Sequence, residues 1–136
     1  MTGAWRLPIG VTWRQLLFMS IDLVNHCSDI CVDATGIGDA FVENLRDSVP
    51  GRVHAIQFSA PTKRLLIENL VSLLQHRRIQ AHPKAPGIHM LTCELANMEA
   101  TTGRTGWRYS GKRLGTDDLV MALALACNAR QPVAMH

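Results

Sequence analysis

The sequence predicts an α/β fold with a partly parallel sheet flanked by helices. Extended and helical segments alternate along the chain, the pattern of strands joined by crossover helices. At 136 residues the chain has the length of one domain, expected to span residues 1–136. Hydrophobic residues make up 47% and charged residues 18%, which excludes a disordered chain and allows a core that needs neither disulfides nor metal.

Taken in order, Trp5–Leu7 reads as a short strand ended by Pro8 and Gly10. Thr12 suits a helix N-cap, and Leu16, Leu17, Met19, Ser20, Leu23 and Val24 recur at helical spacing, predicting a helix over Trp13–Asn25. Asp29–Asp33 is a short apolar run that ends in a Gly-rich turn, hence a buried strand. Phe41, Val42 and Leu45 mark a second helix over Asp39–Asp47, broken by Val49-Pro50-Gly51, and Val53–Phe58 is another strand. Pro61 opens a long helix with Leu65, Leu66, Asn69, Leu70, Leu73 and Leu74 on its apolar face. Arg78–His82 reads as a further short strand, followed by a loop at Pro83, Pro86 and Gly87. Leu91, Leu95 and Met98 predict a helix over Ile88–Glu99. Thr101–Gly115 is Gly-rich and reads as a hairpin arm around Trp107–Tyr109. Thr116 is expected to cap a last helix, Asp117–Ala129. Only two interior strands are strongly marked. A two-stranded sheet does not easily bury both faces, so either edge strands are weakly marked or the fold lacks its beginning.

Several function classes are excluded or unsupported. No stretch approaches the ~18 uncharged apolar residues of a membrane span. Met1–Gly10 has no apolar core of a secretory signal. Cys27, Cys31, Cys93 and Cys127 lie in apolar segments and read as reduced core residues of a cytosolic protein. The histidines show no H-x-x-x-H spacing, and there is no Walker A lysine loop. The net charge of +3 hints only weakly at a polyanionic partner.

Three segments are candidates for chemistry. Asp33 ends a buried strand, and in open α/β sheets sites lie beyond the carboxyl ends of strands; the structural alternative is that it accepts hydrogen bonds from its own turn. Asp117 and Asp118 open the last helix, where acids also complement the helix dipole. If Asp33 and these two converge, their repulsion calls for a divalent cation, and an all-oxygen site suits Mg²⁺ or Mn²⁺. Two such ions are the usual apparatus of phosphodiester hydrolysis. The arm 101–115 holds Arg104, Arg108, Lys112 and Arg113 with Trp107 and Tyr109 and no acid, a composition that suits a nucleic-acid backbone. Its alternative is a solvated hairpin. Lys63-Arg64 and Arg77-Arg78 flank the long helix, and Lys63 joins the DNA-binding candidates.

Asp33-Ala34-Thr35-Gly36-Ile37-Gly38-Asp39-Ala40-Phe41 resembles the anion-hole turn of ribokinase-like sugar kinases, which would make Asp39 a base. That resemblance implies a much larger sheet before the motif and leaves Thr116–Leu125 unexplained. A second resemblance covers most of the chain. Trp5–Gly10, Val32-Asp33-Ala34-Thr35-Gly36-Ile37-Gly38, Lys63-Arg64-Leu65-Leu66, Arg77-Arg78-Ile79 and Gly115-Thr116-Asp117-Asp118-Leu119-Val120-Met121-Ala122-Leu123-Ala124-Leu125-Ala126 resemble, in order, the C-terminal nuclease domain of tailed-phage terminase large subunits.

This second resemblance implies an RNase H-like mixed sheet flanked by helices and metal-dependent endonuclease action on double-stranded DNA during phage DNA packaging. By position, Asp33 and Asp117 or Asp118 would be catalytic and hold Mg²⁺ or Mn²⁺. The implied partners are DNA, the terminase ATPase domain, the small terminase subunit and the portal, in the cytoplasm of a bacterial host. The resemblance also implies an initial hairpin carrying a further catalytic aspartate. No segment before Trp5 matches it, so an N-terminally shortened domain with its first strands missing, as in a prophage remnant, is expected. Its open sheet edge would favour a homodimer. The alternative function is a catalytically inactive DNA-binding or dimerising remnant.

Overall fold

In a computed structural model, which describes residues 1–36, 39–103, 106–111 and 116–130, the chain adopts the expected α/β class. Helix α1 spans Trp13–Asn25, strand β1 Ile30–Asp33, helix α2 Asp39–Ser48 and strand β2 Val53–Ile56. Helices α3 (Ala60–Gln75) and α4 (Ile88–Ala96) follow, then strands β3 (Met98–Gly103) and β4 (Gly106–Gly111) and helix α5 (Asp118–Arg130). Thr12 caps α1 through a reciprocal pair: its hydroxyl accepts from the Gln15 N–H, and the Gln15 side chain accepts from the Thr12 N–H. Ser59 caps α3 in the same region of backbone, with Pro61 in the first turn where a missing N–H costs nothing.

β1 and β2 pair in parallel, from Ile30 opposite Val53 to Asp33 opposite Ile56, with α2 as the crossover. Successive residues of a strand point to opposite faces, and the packing divides accordingly. Ile30, Val32 and Val53 lie against Val24 of α1 and Phe41 and Leu45 of α2. Cys31 and Ile56 lie against the larger core, built by Leu66, Ile67 and Leu70 of α3, Leu91 of α4 and Leu119, Val120, Met121, Ala124 and Leu125 of α5. Helix α5 is apolar almost all round because it packs on α3, α4 and β1 at once. β3 and β4 form a separate antiparallel hairpin. Among the described residues no helix is long and apolar enough to cross a membrane.

Several boundaries differ from the sequence expectation. Trp5–Leu7 is not a strand: the Ala4 N–H donates to the Pro86 carbonyl, and the segment is laid over the loop before α4 rather than into a ladder. Gly87 permits this approach, since a Cβ there would stand 1.8 Å from the Ala4 carbonyl oxygen. Arg78–His82 is not a strand either. Arg77 leaves α3 at φ 52°, and the Arg77 and Arg78 N–H groups close the helix end on the Leu74 and Leu73 carbonyls. Helix α4 stops at Ala96, where Asn97 folds its side-chain amide back onto the Cys93 carbonyl, and the hairpin begins at Met98 instead of Thr101. Cys27 is exposed, not part of the core, while all four thiols are free.

Candidate functional site

Asp33 occupies the last position of β1 and shares the parity of Cys31, so it lies on the α3–α5 face of the sheet. Its Oδ1 accepts the Thr35 N–H at 2.8 Å, the turn-capping role that was the structural alternative. Thr35 in turn accepts the Phe58 N–H at 2.6 Å, tying the turn after β1 to the segment after β2. This places Asp33 at the carboxyl end of a parallel pair, where the sequence predicts a strand end.

Asp117 and Asp118 begin α5, which packs against β1. The first helical bond runs from the Met121 N–H to the Asp117 carbonyl, so Asp117, not Thr116, holds the cap position. The two acids do not face one guest. Asp117 pairs with Lys63 of α3, Oδ2 to Nζ 2.5 Å, with both side chains mostly shielded. Asp118 lies 3.5 Å from the Arg6 guanidinium and is largely exposed. Repulsion between the adjacent carboxylates is thus answered by two cationic side chains of the chain itself. Lys63, a DNA-binding candidate, spends its charge in the structure on Asp117.

Sequence reasoning missed two residues of this corner, Arg6 and Glu94. Glu94 is buried on α4, and its Oε2 accepts the Leu119 N–H at 2.9 Å and the Val120 N–H at 3.3 Å. Its Oε1 is paired with Arg6, which also donates to the Thr116 hydroxyl at 3.2 Å. The signal was present: Glu94 stands three residues after Leu91, on the apolar face of its helix. A carboxylate there must be satisfied.

The donor set is of the oxygen type that suits Mg²⁺ or Mn²⁺. Yet among the described residues no three metal-ligating side chains gather, and Asp117 is already neutralised. These residues do not fit a complete two-metal centre, and no hydrolytic step follows from them. Burial pushes the Cys31 and Cys127 thiols above their ordinary range, which keeps them protonated and poor as ligands or nucleophiles. On the other face of the sheet, an open depression of about 320 Å³ is lined by Ala34, Val42, Glu43, Arg46, Ala55 and Gln57.

In the arm, the register sets Arg108 opposite Thr101, and Trp107 and Tyr109 opposite Thr102 and Ala100. Arg104, Lys112 and Arg113 lie outside the described residues, as do Ile37 and Gly38 of the turn that a sugar-kinase site would use. Comparison with known protein families, characterised proteins and solved structures returns no match for this chain.

Proposed function

We propose that this chain is a terminase-type nuclease domain that engages double-stranded DNA and whose carboxylates, Asp33 with Asp117 or Asp118, take Mg²⁺ or Mn²⁺ weakly. The observation that carries the reading is the position of Asp33 at the carboxyl end of β1, on the face against which α5 packs, the helix that opens with both other acids. The β1–α2–β2 unit, followed by α3 and closed by α5, is compatible with the RNase H-like architecture that belongs to the same proposal. So do the packaging partners, namely the ATPase domain, small subunit and portal, and a bacterial cytoplasmic setting.

Lys63 on Asp117 and Arg6 near Asp118 favour a second reading, a chain that binds duplex DNA but cuts it slightly or not at all. Both readings require DNA binding through the arm. Affinity measured against salt tests this. Each neutralised phosphate on duplex DNA contributes a slope of about −0.9, so Arg104→Ala with Arg108→Ala should flatten the plot by about 1.8 if both arginines face phosphates. An unchanged slope returns the arm to a solvated hairpin.

A further inference from the structure

Helix α1 is apolar on more sides than its own fold uses. Eight of its 13 residues are apolar. Leu16, Leu17, Ile21 and Val24 pack into the core shared with α2. Phe18, Met19 and Leu23 do not, and they stand 65%, 43% and 50% exposed, with Trp13 at the start of the helix 58% exposed. Large apolar side chains grouped on the solvent side of an otherwise amphipathic helix mark a surface that a partner covers.

The only two charged residues of α1 show what covers that side. Arg14 and Asp22 lie four residues before and after Phe18, on the same outward stripe. Both are exposed, and neither has an ion-pair partner among the described residues. The stripe is therefore self-complementary when reversed: basic, aromatic, acidic in one direction and acidic, aromatic, basic in the other. We propose that α1 packs antiparallel against α1 of a second copy of this chain. The two-fold axis passes beside Phe18, and Arg14 of each copy meets Asp22 of the other. An isologous contact of this kind makes every favourable pair twice. Phe18 and Met19 form the buried centre, with Leu23 beside Met19 on the same solvent side.

The strand edges of the β1–β2 pair are the competing surface, but each strand is four residues long and offers few free backbone groups. A 13-residue helix is about 20 Å long and about 10 Å wide, so one face of it offers about 200 Å², well below the ~800 Å² per partner of a standard interface. The dimer is accordingly one that dissociates on dilution into the micromolar range.

Sedimentation equilibrium on the full chain between about 1 and 200 µM tests the proposal, with circular dichroism to verify folding. The expected result is a concentration-dependent dimer, lost in Phe18→Lys while the spectrum is retained. Arg14→Asp alone and Asp22→Arg alone each juxtapose like charges twice and should weaken the dimer about tenfold or more. The double variant Arg14→Asp/Asp22→Arg should recover it to within about threefold, since the same pair is restored in reverse. A wild-type chain that stays monomeric throughout overturns the proposal. So does a dimer indifferent to Phe18→Lys, which would put the contact on the strand edges or elsewhere. A dimer broken by Phe18→Lys but not restored by the charge exchange overturns the antiparallel register.

Discussion

The side chain of Glu94, on α4, accepts the N–H of Leu119, 25 residues later in the chain, at 2.9 Å and so caps the start of α5. Asp117, in the cap position itself, is turned to Lys63 instead. The start of α5 is thus fixed by a tertiary contact, and the buried carboxylate that makes it is balanced by Arg6 from the N-terminal segment. Removing Glu94 leaves two helix N–H groups buried without an acceptor. Glu94→Ala should cost about 2–4 kcal/mol in chemical denaturation, and Glu94→Gln, which keeps an acceptor oxygen, about half of that. Equal stability of wild type and Glu94→Ala would refute the capping role.

Lys63 and the cation compete for Asp117. Lys63→Met frees the carboxylate while keeping the hydrophobic stem of the side chain. Binding of Mn²⁺ measured by calorimetry should tighten several-fold in Lys63→Met, and Asp117→Asn in that background should abolish the gain. The stability cost of losing this partly shielded pair should be about 1 kcal/mol. Unaltered Mn²⁺ binding in Lys63→Met would show that Asp117 has no part in holding a cation.

Arg77 occupies the left-handed position after α3, at φ 52°, where glycine is the usual residue because it has no Cβ to crowd the carbonyl. Arg77→Gly should raise stability by about 0.5–1 kcal/mol, the relief of backbone strain exceeding the greater entropy that glycine gives the unfolded chain. A lower midpoint in urea for this variant would contradict the assignment.

The cysteines give a pH dependence. Burial raises the folded-state pKa of Cys31 and Cys127, so the folded state holds the thiol protons more firmly than the unfolded state. Their contribution to stability is fully present below the ordinary thiol pKa, about 8.5, and is lost as pH rises through the raised values. Wild type should therefore lose stability, as pH rises above the ordinary thiol pKa, more steeply than a Cys31→Ala/Cys127→Ala variant. At neutral pH an alkylating reagent should modify exposed Cys27 before either of them.

Much of the fold was legible because its elements carry local signals. Thr12 with Gln15, Ser59 with Pro61, and the apolar runs at Ile30–Asp33 and Val53–Ile56 specify their own conformations, and α1, β1, α2, β2, α3 and α5 lie close to the expected ranges. The misplaced boundaries depend on contacts between distant segments. Nothing around Trp5 announces that the chain will cross Gly87, and nothing in Thr116 shows that Glu94 will cap α5 in its place. Of the site, the placement of Asp33 at a strand end and of Asp117 and Asp118 at a helix start followed from local pattern. Their cationic partners, Lys63 and Arg6, are 54 and 112 residues away in sequence, beyond the reach of spacing arguments.

The most direct test of the central claim is cleavage of supercoiled plasmid DNA by the full chain with millimolar Mn²⁺, run beside Asp33→Asn. The substitution preserves the shape of the side chain and its acceptor for the Thr35 N–H while removing the charge. The proposal predicts salt-sensitive binding of the plasmid by both proteins, with cleavage by the wild type slight at most and absent in Asp33→Asn. Robust Mn²⁺-dependent cutting that survives Asp33→Asn, or no association with duplex DNA even at low salt, would contradict it.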